Sequence, residues 1–164
     1  MKRPEARRAR FIGGRERRFA LDTNVFIRAT REPDWEEQLA GFHAAFAPFE
    51  WLAAVVAQEL LAGARGNSAT VIERAILEPF ERRGRLIVPT YAAWKETGAV
   101  LASLVTTNKA RWADVPRSFV NDILLAMSCR EAGVVLVTEN VRDFERIAQV
   151  RPFDFVPPWP VPSS

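Results

Sequence analysis

Four carboxylates stand beside apolar runs, where an unpaired charge is costly. Asp22 closes RFALD, Glu59 interrupts VVAQELLAGA, Asp122 lies within FVNDILLAMSC, and Asp143 follows VVLVTENV. A buried ionised carboxylate normally pairs with a cation or binds a metal. Each of the four borders a segment that must enter the core, so folding is expected to gather them into a hydrolytic metal site. Oxygen-only donors select the hard cations Mg2+ or Mn2+, and a single His43 with a single Cys129 supplies too few nitrogen and sulfur donors for zinc. Plainer uses exist for every member. Asp22 could cap the helix that follows it, Glu59 could face solvent beside Gln58, and Asp122 could serve the dipole of its own helix. Asp143 could cap the turn into NVRDFER, and Glu139 rivals it for the fourth place from the same loop.

The elements that must position these acids alternate along the chain. Residues 19–22 read as a short buried strand, and 25–31 as a helix stopped before Pro33. Helical periodicity resumes over 34–46, with Trp35, Leu39, Phe42 and Phe46 on one face. A second strand is expected over 49–55, then a helix bearing Glu59 that ends near Gly63 or Gly66. Residues 68–83 read as one helix and 85–88 as a strand stopped by Pro89, while 91–105 carry helical spacing through Trp94, Val100 and Leu104. A polar stretch over 106–117 leads into the helix of Asp122, with Asp114 and Pro116 as its start signal. The β-branched run 134–137 has the mark of a central parallel strand. The tail from 151 to 164 holds five of the chain's 11 prolines and has room for one edge strand, 153–156. Strands separated by helical segments argue for an α/β fold with a central parallel sheet flanked by helices. Ligands of such sheets collect at the carboxyl ends of the strands. Asp22 and the segment 138–143 lie at such ends, so Glu59 and Asp122 must project from flanking helices.

Length and composition, 164 residues with 48% hydrophobic and 26% charged, suit one domain. No apolar run approaches the roughly 20 residues that span a bilayer, and the basic N-terminus lacks the apolar stretch of a secretory signal. One cysteine excludes an intrachain disulfide and agrees with a reducing compartment, so a cytoplasmic protein without membrane attachment is expected; Cys129 itself reads as a small buried hydrophobe. The net charge of +3 is unevenly spread. Residues 1–18 carry eight basic and two acidic side chains, a local +6, and the remainder carries 15 basic against 18 acidic, or −3. An arm of this kind either condenses on a nucleic-acid backbone or is a solvated leader. Arg15, Arg17 and Arg18 are its candidate contacts.

In order and spacing, ALDTNVFI, the glutamate of AQELLAGA, FVNDILLAMSCREAG and LVTENVRDFERI resemble the PIN domain, in particular the VapC-type toxins of bacterial toxin–antitoxin pairs. The likeness spans a single PIN-like domain over residues 19–157, leaving a basic N-terminal arm, 1–18, and a proline-rich tail, 158–164. By this resemblance Asp22, Glu59, Asp122 and Asp143 form the acidic quartet, both catalytic and metal-binding. Asp22 and Asp122 are then the principal ligands, and Glu59 and Asp143 serve a second ion or act through water. Asn24, Thr138 and Asn140 match accessory polar positions. Where the family often has Ser or Thr before the glutamate, this chain has Val56 and Ala57. The resemblance implies an endoribonuclease that depends on Mg2+ or Mn2+, one ion or two, in which a metal-activated water attacks phosphorus in line. It also implies an RNA substrate and a cognate antitoxin. Trp35, Phe42, Phe46, Trp94, Leu101 and Leu104 are more apolar than one small core needs, so a homodimer with a groove for an antitoxin helix is expected. A nuclease of RNA processing without a toxin role fits the same residues. A Mg-binding phosphatase-like or receiver-like domain would need paired acids and a lysine at a strand end, whereas Lys95 and Lys109, the only lysines beyond the arm, end no convincing strand. A silent binding module would leave the acids on the surface.

Overall fold

Phe19, Ala20 and Leu21 are all buried and form β1 (Phe19–Leu21), the middle strand of a five-stranded sheet. The computed structural model describes residues 17–107 and 111–160. In it β2 (Glu50–Ala53), β3 (Leu86–Ile87), β4 (Val135–Val137) and β5 (Phe155–Val156) join β1 in the order β3-β2-β1-β4-β5, every neighbouring pair parallel. Parallel neighbours need crossovers. These are α1 (Thr23–Ala29) and α2 (Pro33–Phe46) after β1, then α3 (Ala54–Gly63), α4 (Ser68–Ile72) and α5 (Glu78–Arg82) after β2. α6 (Tyr91–Thr107) and α7 (Arg117–Ala132) follow β3, and α8 (Val141–Val150) follows β4. The expected α/β architecture is therefore present. The chain lays β1 to β3 in one direction, then returns to place β4 and β5 on the other side of β1. Leu21 pairs with Val137 across that switch point, so the next residues, Asp22 and Thr138, emerge side by side where ligands of such sheets bind.

α7 carries Asp122 into the core. Its residues Ile123 to Cys129 are all buried, the pattern of a helix enclosed by neighbours, here α3, α6, α8 and β4. It ends at Gly133, whose φ of +64° is the left-handed conformation that favours glycine, and Val134 N–H then donates to the Cys129 carbonyl at 2.9 Å. Burial pushes the Cys129 thiol up to about 12, which leaves it a hydrophobe and not a nucleophile.

Four expectations need correction. The helix over 68–83 holds a wide turn, Glu73–Leu77, in which Glu78 N–H reaches back five residues to the Glu73 carbonyl; Pro79 follows and has no N–H for a regular turn. The strand over 49–55 is shorter because Ala54 and Val55 already belong to α3. Trp94 faces solvent at 56% exposure, while Ala93, Thr97, Val100, Leu101 and Leu104 make the buried face of α6. The aromatic face of α2 is covered by the chain itself. Phe42 packs on Phe19, Phe46 and Trp159, and Trp159 stacks on Trp35 and donates from Nε1 to Gln38 Oε1 at 2.6 Å. No helix among the described residues is long and apolar enough to cross a membrane. Arg15 and the rest of 1–16, Lys109, and 161–164 lie outside the described residues.

Candidate metal centre and active-site cleft

At the carboxyl end of β1, Asp22 is buried and caps α1. Its Oδ1 accepts from Thr23 N–H at 2.7 Å, and its Oδ2 accepts from Thr138 Oγ1 at 2.7 Å and from Asn24 Nδ2 at 3.0 Å. The capping use and the site use of this residue are thus compatible. Burial raises the Asp22 pKa above the ordinary carboxylate value against the pull of these donors, and the Glu59 charge adds to the rise. Thr138 is fully buried, and its hydroxyl also receives Asn140 N–H at 3.0 Å, which fixes the loop leaving β4.

The other three acids come from helices. Glu59, on α3, accepts from Thr23 Oγ1 at 2.5 Å and from Asn121 Nδ2 at 2.9 Å. Asn140 Nδ2 bridges Asp122 Oδ2 at 3.4 Å and Asp143 Oδ2 at 3.1 Å. Arg146, one turn along α8, donates to Asp143 Oδ1 at 3.3 Å. Desolvation, followed by the charges of Asp22, Glu59 and Asp143, raises the Asp122 carboxyl to about 7. The four acids therefore share one electrostatic environment. They line an open cleft of about 850 Å³ together with the apolar residues Ile27, Leu101, Leu104 and Val105.

The cleft brings together Asp22, Asn24, Glu59, Asp122, Asn140 and Asp143, with Thr138 directly beneath Asp22. Glu139 is turned away from it, its Oε2 held by Arg28 Nη1 at 2.5 Å. Arg18 does not join the site either. Its Nη2 donates to the Ala132 carbonyl at 2.6 Å, and its guanidinium stacks over Trp51, before β1 begins and thus at the opposite end of the strands. His43 pairs with Glu50 at the amino end of β2 and does not line the cleft. Three contributors were missed in the sequence: Thr23 and Asn121, which orient Glu59, and Arg146. The first two adjoin quartet members in sequence, DTN and ND, which was the available signal; Arg146 follows Asp143 by three residues, a helical neighbour.

Among the described residues, no three His, Cys, Asp or Glu side chains form a ready-made cage for an ion. The donor chemistry nevertheless fits a hydrated hard cation. Mg2+ keeps several waters and needs only one or two carboxylates directly, and this cleft offers oxygen donors whose mutual repulsion a divalent charge would relieve. Lys95, the one lysine among the described residues, does not line the cleft.

Neither a protein-family model nor a curated relative matches the chain. Solved structures do. A chain of the DNA-bound VapBC of Salmonella typhimurium superposes with a TM-score of 0.63 at 24% identity, covering 87% of this chain and 98% of the other. A chain of FitAcB from Neisseria gonorrhoeae gives 0.62 at 18% identity, over 87% and 99%. VapBC2 from Rickettsia felis, bound to a promoter DNA fragment, gives 0.59 at 18%, over 87% and 98%. This is a PIN-like fold. At these identities the likeness is one of architecture, and it extends over nearly the whole of each matched chain. The PIN-like fold accounts for the placement of the quartet by topology: Asp22 follows β1 at the switch point, and the other three enter from α3, α7 and α8.

Proposed function

We propose that this protein is a metal-dependent endoribonuclease and the toxin of a toxin–antitoxin pair. The observation that carries the proposal is the gathering of four carboxylates, Asp22, Glu59, Asp122 and Asp143, in one open groove at the switch point, where burial and the neighbouring charges push Asp122 up to about 7. Asp22 and Asp122 would hold Mg2+ or Mn2+, with Glu59 and Asp143 at its periphery. When bound, such an ion acidifies water and offsets charge gathering on the phosphoryl oxygens. The chain's residues do the rest. Thr138, Thr23 and Asn24 hold Asp22 in one orientation, Thr23 and Asn121 aim Glu59, and Asn140 ties Asp122 to Asp143 by donating to both. Asp122 would hold an ion as a carboxylate, so occupancy would rise with pH.

The solved neighbours are VapBC and FitAB toxin–antitoxin complexes, and this chain offers features suited to such a partner: a cleft lined by apolar and acidic residues that fits an amphipathic antitoxin helix with a basic side chain. A second copy of the chain would use a different surface, where Val88, Tyr91 and Trp94 are 65%, 82% and 56% exposed. The test is cleavage of total RNA by the purified protein. EDTA should abolish cleavage, and Mg2+ or Mn2+, without zinc, should restore it; full activity in excess chelator would defeat the proposal.

A further inference from the structure

Thr138, Glu139 and Asn140 make the loop between β4 and α8, and three of the four acids are tied to it. Thr138 Oγ1 donates to Asp22 at 2.7 Å, Asn140 Nδ2 donates to Asp122 at 3.4 Å and to Asp143 at 3.1 Å, and Asn140 N–H closes back on Thr138 Oγ1 at 3.0 Å. Glu139, between them, has a tether outside the cleft. Its Oε2 receives Nη1 of Arg28, on the last turn of α1, at 2.5 Å. Arg28 itself does not line the cleft. Its Nε donates to Glu32 at 2.9 Å, and its guanidinium lies over the Trp35 ring, 4.0 Å from the centre. Trp35 is anchored in turn, with Nε1 donating to the Val25 carbonyl at 3.2 Å and Trp159 packed on its ring. A half-exposed ion pair is ordinarily worth little, because two long side chains must be immobilised to make it. Here Glu32 and Trp35 already fix the arginine fork, so Glu139 meets a partner that is in place.

We infer that Arg28 is a positioning residue of the acidic site: through Glu139 it holds the loop 138–140 where Thr138 and Asn140 can aim Asp22, Asp122 and Asp143. The inference rests on the proposed metal-dependent reading and adds to it a residue that meets neither ion nor substrate. Hard divalent cations, Mg2+ above all, tolerate little error in the placement of their oxygen ligands. Groups that orient those ligands therefore act on affinity and rate without touching the ion. Releasing Glu139 would leave the loop anchored by Thr138 N–H on the Val156 carbonyl at one end and by α8 at the other, with the aiming residues free to shift between them.

The test compares the full chain with Arg28→Met, which keeps an unbranched stem against Trp35 but no charge, with Glu139→Met, and with the two combined. Arg82→Met, which breaks a comparable exposed pair with Glu78 away from the cleft, is the control. Hydrogen exchange at the Asn140 amide is read by NMR, Mn2+ affinity by electron paramagnetic resonance, and cleavage of a short RNA by steady-state kinetics; thermal melts establish that each variant is folded. Arg28→Met should speed Asn140 exchange and weaken Mn2+ binding, each about tenfold, the low end of the range for groups that support a metal ligand. With Mn2+ at the wild-type Kd, kcat should then fall about fivefold while KM for RNA stays within a factor of two. Glu139→Met should do the same, and the combined variant should be no worse than either, since all three break one contact. Arg82→Met should move none of these readings by more than about twofold. Unchanged Asn140 exchange in Arg28→Met, or faster exchange with Mn2+ affinity and kcat unmoved, overturns the positioning role and leaves the nuclease reading standing. Losses that add in the combined variant overturn it too, because Arg28 and Glu139 then act apart. Arg28-dependent Mn2+ binding without any cleavage by the unaltered protein overturns the nuclease reading and leaves the positioning role standing. An unaltered protein that neither binds Mn2+ nor cleaves RNA overturns both.

Discussion

Glu50 at the amino end of β2 and Asp22 at the carboxyl end of β1 are buried alike, at 3% and 4% exposure, yet they sit in opposite electrostatic settings. Both carboxylate oxygens of Glu50 face His43 Nδ1, at 2.7 and 2.9 Å. Around it the amino end is closed by cations that reach backbone carbonyls: Arg85 donates to Ala47, and Arg18 to Ala132. Asp22 has neutral donors only, Thr23, Asn24 and Thr138, and its charged neighbours are other carboxylates. One end of the sheet satisfies its buried charge from within the chain. The other orients Asp22, Glu59 and Asp122 with hydroxyls and amides and pairs only Asp143 with an arginine, Arg146, so acids outnumber the cations beside them, which suits a site for an external cation.

The largest effect that would break or confirm this contrast belongs to Asp122→Asn. Cleavage should fall by about a thousandfold or more, the several kcal/mol that a lost metal ligand removes from transition-state stabilisation. The same change should make the metal-free protein more stable. With its carboxyl held at about 7 instead of the ordinary 3.8, the folded chain binds more protons than the unfolded chain between those values. Stability therefore falls as pH rises through that window and levels off above it. Asparagine carries no such charge and should flatten the slope, a gain on the order of 1–2 kcal/mol at pH 8 once solvent screening is allowed for. Urea titrations in chelator at several pH values measure it. Wild-type cleavage by this variant, or a pH slope unchanged by it, would mean that the two ends of the sheet do not differ in the way described.

At the amino end the sign should reverse. His43→Ala leaves the Glu50 carboxylate buried without its partner and should cost about 1–2 kcal/mol, below the roughly 3–5 kcal/mol of a fully buried pair because His43 is itself 38% exposed. Adding Glu50→Gln should recover most of that loss, since the orphaned charge is then gone. Cleavage should stay at the wild-type rate throughout. A rate that falls with His43→Ala while the melting curve holds would place His43 in the chemistry and remove the distinction between the two ends.

How far the sequence alone carries depends on how local each signal is. The β-branched run of β4, the apolar stretch before Asp22 and the enclosed face of α7 are legible because burial on all sides leaves unbroken apolar residues. The quartet is legible for the complementary reason, that each acid interrupts such a stretch. The aromatic face of α2 was misread as surplus because what covers it, Trp159, lies 117 residues beyond Phe42, and no local pattern announces that contact. Thr23 and Asn121 escaped notice because their partner Glu59 is 36 and 62 residues away. Trp94 has the period of the buried face of α6 and the exposure of the opposite one, so periodicity over one helix could not separate them. Arg18, a candidate nucleic-acid contact, lies at the end of the sheet away from the acids, its guanidinium on the Ala132 carbonyl and over Trp51.

That placement sets the smallest prediction. Residues 1–16 hold six basic and two acidic side chains and join the described chain beside Arg18, at the amino end. β1 has three residues and is about 10 Å long, so the arm starts roughly one Debye length from the cleft at physiological ionic strength. Its charge can raise the local concentration of a polyanion without touching the scissile bond. Removing residues 1–16 should raise KM by about three- to fivefold at low salt and by much less at moderate salt, with kcat unchanged because every quartet member lies downstream. Steady-state cleavage of a short RNA at two salt concentrations checks both numbers. A fall in kcat would bring the amino end into the chemistry, and an unchanged KM at low salt would make the arm a solvated leader, leaving the cleft's own Arg117 and Arg146 as the groups that meet the substrate.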